Sequence, residues 1–195
     1  MSRPRTSHLV AALASAGLMT AADRGLAAAD TAPRSPSAVD SAAAPASPAR
    51  QAFENLKQLA GTWEGESTRG WKERVRFEVI AGGTAVLEVS DHSEAHPGDH
   101  ASMATVYTLD GERLILTHYC IAGNQPRMVA STIEPGAREI TFTFLDATNL
   151  KSRDEGHMDR AVIRLLEPGR FTARWTWYEA GADKWAEDMV FVRQG

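Results

Sequence analysis

Along WKERVRFEVI, residues 71–80, Trp71, Val75, Phe77 and Val79 fall on one face, and Lys72, Arg74, Arg76 and Glu78 fall on the other. A period of two with one apolar face is the pattern of a strand that is buried on one side and wet on the other. The same alternation returns in TAVLEVS after Gly82-Gly83, in ASMATVYTL, in RLILTHYC after Asp110-Gly111 and in RMVASTI after Gln125-Pro126. It continues in EITFTFL after Pro135-Gly136, HMDRAVIRLL after Gly156, RFTARWTWYEA after Pro168-Gly169 and DMVFVRQ. With GTWEGES at the front, the pattern predicts about ten strands, most of them joined by short hairpin turns. Only QAFENLKQLAGTW has helical spacing, with Phe53, Leu56 and Leu59 on one face and Gly61 to end it.

Sequential hairpins with one apolar face each predict an all-β, up-and-down antiparallel barrel of about ten strands with a short N-terminal helix, because closure removes exposed strand edges. A two-sheet sandwich is the alternative. It needs long crossovers, and only DHSEAHPGDH and DATNLKSRDEG are long enough to supply them.

Upstream of the strands the pattern changes twice. Arg3, Arg5 and His8 precede the apolar run LVAALASAGLM, which is the order of a signal peptide and too short to span a membrane. Residues 1–29 are read as that signal, with cleavage after Ala22 or Ala29. Residues 30–50 are rich in Ala, Pro and Ser and are read as a disordered tether, since they bury too little apolar surface to offset their ordering entropy. Residues 51–195 are long enough for one domain with a real core. Together these readings predict a periplasmic or secreted protein with no membrane span. Residues 1–50 carry net +2 of the chain's overall −4, so −6 falls on residues 51–195. That charge argues against nucleic acid as a partner. Cys120 is the only cysteine, which excludes an intrachain disulfide and a CxxC zinc site.

The alternation also sorts polar residues between wall and solvent. Arg160 and Arg164 mark one face of HMDRAVIRLL as solvent, together with Met158, so His157 and Asp159 are expected to point inward. In RFTARWTWYEA the face shared by Phe171, Ala173, Trp175 and Trp177 is the inner one. RLILTHYC is apolar on both faces, and His118 is placed inside with Leu114 and Leu116. Phe142 and Phe144 add aromatic wall. The segment THYCIAGNQPRM gathers hydrogen-bonding side chains at a strand end, which suggests the wall and rim of a pocket. The candidate ligand-binding residues are therefore His118, Tyr119, Asn124, Gln125, Asn149, His157, Asp159, Trp175 and Trp177, an apolar lumen with a few polar groups.

Each has a structural reading beside the functional one. His157 and Asp159 can be a buried pair that fixes register, Asn124, Gln125 and Pro126 a turn, and the tryptophans core. Cys120 beside His118 is weak ground for a nucleophile, since free cysteines are commonly inert and buried. His92, His96 and His100 recur every four residues with Asp91, Glu94 and Asp99 among them, a ligand set for zinc, copper or nickel. Pro97-Gly98 breaks any helix that would align them, so a solvated loop is the preferred reading and no metal site is assigned.

The short helix, LAGTWEGES and a meander of about ten strands together resemble the calycin superfamily: lipocalins, fatty-acid-binding proteins and nitrobindin-like barrels. HYCIAGNQPRM and DATNL further resemble a group of secreted bacterial lipocalin-like proteins. The resemblance implies that Trp63, in the G-x-W motif of Gly61, Thr62 and Trp63, closes the barrel floor. The resemblance brings a fold and no activity, and the apolar lumen with its few polar groups predicts a binding protein for a small apolar or amphipathic molecule, without a cofactor. A nitrobindin-like haem protein is the alternative within binding, although Ser67 stands where that motif has its last glycine. A cofactor-independent isomerase, lyase or hydrolase using His157 and Asp159 as an acid/base pair is the alternative from another class. The exported protein is expected to begin at Asp23 or Asp30, which its intact mass checks; an exported form retaining Met1 would overturn the signal-peptide reading.

Overall fold

The computed structural model describes residues 46–91 and 102–195, which lie within one compact unit. The first element is helix α1 (Pro48–Lys57). Ser47 caps it by accepting a hydrogen bond from the Arg50 N–H, and Pro48 occupies the first turn, where its fixed φ fits and its missing N–H costs nothing. Ala49, Ala52, Phe53 and Leu56 form its buried face. The helix thus begins inside the segment read from composition as tether, because a Ser-Pro start and small buried alanines look the same in composition as a disordered linker.

Ten strands follow: β1 (Gly61–Ser67), β2 (Lys72–Ile80), β3 (Ala85–Asp91), β4 (Ser102–Asp110), β5 (Arg113–Tyr119), β6 (Gln125–Ile133), β7 (Glu139–Thr148), β8 (His157–Leu165), β9 (Arg170–Glu179) and β10 (Ala182–Arg193). Each pairs antiparallel with its sequence neighbour, and β1 pairs with β10, so the sheet closes into a barrel and the sandwich alternative is excluded. Gln125 and Pro126, expected in a turn, open β6 instead. Proline is tolerated there because the ladder from β5 to β6 reaches only to Thr117 and Arg127, so no N–H is required of residue 126 by that neighbour. β10 begins six residues before the DMVFVRQ pattern, since its charged start DKWAED hides the strand.

One end of the barrel is packed shut. Trp63 is almost fully buried and its indole N–H donates to the Leu59 carbonyl at 2.7 Å. Its ring meets Phe171 edge-on at 4.9 Å, and Phe171 stacks on Phe191 at 4.5 Å. The Arg193 guanidinium lies 4.2 Å from the centre of the Trp63 ring and donates to the carbonyls of Ala60 and Gln58. Gly65 is required by this packing, since a Cβ there would stand 2.4 Å from the Phe191 ring. α1 lies over the same end, where Asn55 donates to the carbonyls of Gly136 and Ala137 at 3.0 Å each. Leu114, Leu116, Met128, Ile140 and Phe142 are fully buried in the same hydrophobic core.

Replacing Trp63 with alanine removes the largest floor side chain and the partner of Arg193, so a loss of about 3–5 kcal/mol is expected in urea unfolding. A loss under about 1 kcal/mol would mean that the floor does not depend on this ring.

Candidate functional site

The opposite end holds a cavity of about 590 Å³. The turn between β1 and β2 contributes Arg69 and Trp71, and the turn between β5 and β6 contributes Cys120, Ile121 and Ala122. Strand ends supply the rest of the wall, and alternation decides which residues those are. Glu73 shares the inner face of β2 with Val75 and Phe77, and Glu187 shares that of β10 with Met189 and Phe191.

Aromatic rings dominate the mouth. Trp175, Trp177, Trp185 and Trp71 line it, with Met103, Met158 and Met189 between them. Trp177 and Trp185 are cross-strand partners whose rings stack at 5.8 Å and 2°. The Arg69 guanidinium sits over both Trp71 and Trp185, at 5.1 and 4.9 Å from the ring centres. The buried indole N–H of Trp71 has no acceptor among the described residues.

Polar groups are set into this wall in pairs. The Tyr107 hydroxyl donates to Glu88 at 2.6 Å, and burial, reinforced by the Glu88 charge, holds the phenol well above its usual range, so it remains a donor. Ser67 donates to Glu187. Thr105 and the His118 Nδ1 lie 3.0 Å apart, and the His118 ring rests on Trp175 at 4.8 Å. Glu73, Glu88 and Glu187 put three carboxylates on the lining, against Arg69 and His118. Burial pushes the Cys120 thiol up, which disfavours the thiolate and with it a nucleophilic role.

Of the nine candidate ligand-binding residues named from the sequence, His118, Trp175 and Trp177 line the cavity, and the other six are not among its lining residues. His157 and Asp159 are the main correction. A register shift between Met158 and Arg160 inserts one extra residue into β8, so Met158, opposite Trp177, takes the cavity position that strict alternation assigned to its neighbours. His157 is fully buried in a different cluster: Arg153 donates to its Nε2 and to Asp159, and also covers the rings of Phe144 and Tyr178. An arginine can only donate, so Nε2 accepts and Nδ1–H donates to the Glu155 carbonyl at 2.6 Å. Both imidazole nitrogens are thereby engaged.

Asn124, Gln125 and Asn149 come together, but as a lock between two connections. Asn124 donates to the Gly156 carbonyl at 2.8 Å, while Asn149 donates to the Gly123 carbonyl and to Gln125, both at 3.3 Å. Thr148 donates to the same Gln125 oxygen at 2.5 Å. Tyr119 points off the cavity and is half exposed. Gly156 belongs to the same support, since a Cβ there would stand 2.3 Å from the Trp177 ring.

The alternation pattern contained a signal for Glu73, Glu88 and Glu187, each in phase with apolar inner residues, but their charge argued for the solvent face. Trp185 and Arg69 lay in stretches without a readable period. His92, His96 and His100 fall outside the described residues, and among the described residues no cluster of three or more His, Cys, Asp or Glu could hold a metal ion. No helix among them is long and apolar enough to cross a membrane. Comparison of the chain with known protein families and with curated proteins finds no match to either.

Substituting His157 with leucine leaves the Glu155 carbonyl and one Arg153 donor without their partner, so a loss of about 1–3 kcal/mol in stability is expected. Urea unfolding measures it, and affinity for cavity ligands is expected to be unchanged. A changed affinity with unchanged stability would return His157 to the site.

Proposed function

We propose that the protein is a secreted or periplasmic binding protein that holds a small, mainly apolar molecule in the open end of its barrel. The observation that carries this reading is the cavity of about 590 Å³, walled by four tryptophans and three methionines, with convergent polar groups. Its size and make-up are those of small-molecule sites. A ligand that buries about 250 Å² of apolar surface there would gain about 6 kcal/mol before the costs of association, enough for useful binding without any covalent step. Export is supported by the basic-then-apolar start of the chain. The G-x-W opening with Trp63 at a packed floor supports a calycin relationship.

Haem fits this wall poorly. Among the described residues His118 is the imidazole on the lining, and it is already set against Thr105 and Trp175. The acid/base enzyme loses its proposed pair, because His157 and Asp159 sit off the cavity and are both engaged by Arg153.

N-phenylnaphthylamine, an uncharged apolar dye, is expected to bind saturably, with blue-shifted emission and quenching of tryptophan fluorescence. Ser90 lines the cavity, so Ser90→Phe is expected to weaken binding at least tenfold by filling it, with circular dichroism confirming the barrel. Absence of saturable binding to the wild-type protein would overturn the proposal.

A further inference from the structure

We propose that the ligand of this cavity is a flat, conjugated ring system, taken in preference to a flexible aliphatic chain or a puckered saturated ring. The inference rests on the lumen being a ligand site and names the molecular shape it selects. It begins with a row of side chains that crosses three adjacent strands. Met158 on β8 pairs with Trp177 on β9, and Trp177 pairs with Trp185 on β10. All three line the cavity. The two indoles are parallel to within 2°, so a ring laid against either one is parallel to both. Both are only partly buried, which leaves ring surface accessible.

Two features of the backbone are arranged around this row. Arg160 faces Thr176 and Ala161 faces Trp175, so regular pairing would set Asp159 opposite Trp177. The bulge puts Met158 there instead, and the Asp159 carboxylate goes to Arg153. A polarizable thioether, a favourable neighbour for aromatic rings, thus takes the place of a charge. The second feature is Gly156, where a Cβ would stand 2.3 Å from the Trp177 ring, so only glycine lets that ring lie so close to the backbone. Trp175, on the same face of β9, is set by the His118 ring at 4.8 Å. Rings held in fixed planes reward a partner of the same shape. Aromatic pairs gain attraction beyond the area they bury, and a rigid plate gives up little conformational freedom on entry. An alkyl chain gains from burial alone and loses rotamers. The wall already shows indole faces in use by a flat group, since the planar Arg69 guanidinium lies over Trp71 and Trp185 at the mouth.

The test uses three uncharged alcohols of equal carbon count: 2-naphthalenemethanol, which is flat, decahydro-2-naphthalenemethanol, its puckered saturated counterpart, and undecan-1-ol, a flexible chain. Affinities are measured by calorimetry and divided by each probe's octanol-to-water partition coefficient, which removes differences in simple hydrophobicity. After that correction the flat probe is expected to bind at least about fivefold more tightly than either of the others. Trp177→Leu and Trp185→Leu, each checked by circular dichroism and thermal midpoint, are expected to reduce that preference at least about threefold. If one of them fails to fold, the other still reads the ratio, and the wild-type comparison needs neither. Equal corrected binding of flat and saturated probes, or a preference that survives both substitutions, overturns the planar inference and leaves the binding-protein reading standing. Failure of all three probes to bind overturns both.

Discussion

The pairing of β1 with β10 is the contact on which everything else depends, because it turns ten hairpins into a ring and sets Trp63 opposite Arg193. A barrel of about eight strands has an interior that side chains just fill, and width grows with strand number. Ten strands therefore leave more space than an apolar core can occupy along the whole axis. Here the excess is divided unequally. Trp63, Phe171 and Phe191 interlock at one end with α1 laid over it, and the remaining volume collects at the other. The cavity is thus a geometric consequence of closure plus a filled floor.

The open end stays in shape through polar contacts away from the lumen. The amides of Asn124, Gln125 and Asn149 tie the connection after β5 to the one after β7. Arg153 joins that second connection to His157 and Asp159 on β8. His157 and Asp159 are buried and need partners, which Arg153 supplies, and contacts of this kind rigidify what they surround. The bulge in β8 links the two layers, since it presents Met158 to the cavity while His157 and Asp159 enter the Arg153 cluster. The hydrogen-bonding residues of THYCIAGNQPRM mostly hold the rim in place, and His118 is the one that reaches the lumen wall by side chain and sits almost fully buried there.

The lining combines two properties that are costly to maintain without a use. Carboxylates buried next to indoles give up hydration, and an exposed bowl of tryptophans favours association with any apolar surface. Tyr107 and Ser67 soften the first cost by donating to Glu88 and Glu187. Arg69 covers part of the second by lying across Trp71 and Trp185.

The sequence by itself determined the barrel. Period-two alternation with hairpin turns marks ten strands whether or not their partners are known, because each strand must bury one face and hide its edges. It also determined the inner face of β9, where Trp175 and Trp177 stay in phase with Phe171 and Ala173. Tertiary structure alone decided the phase of β8, since a one-residue bulge leaves no mark in a period-two pattern yet moves every residue before it to a new environment. It decided as well that Glu73, Glu88 and Glu187 face inward, because a charged residue in phase with apolar neighbours is read as solvent-facing until a cavity on that face is known to accept it. The start of α1 at Pro48 and of β10 at Ala182 belongs with these: alanine, proline and charged residues gain their meaning there only from the surface packed against them.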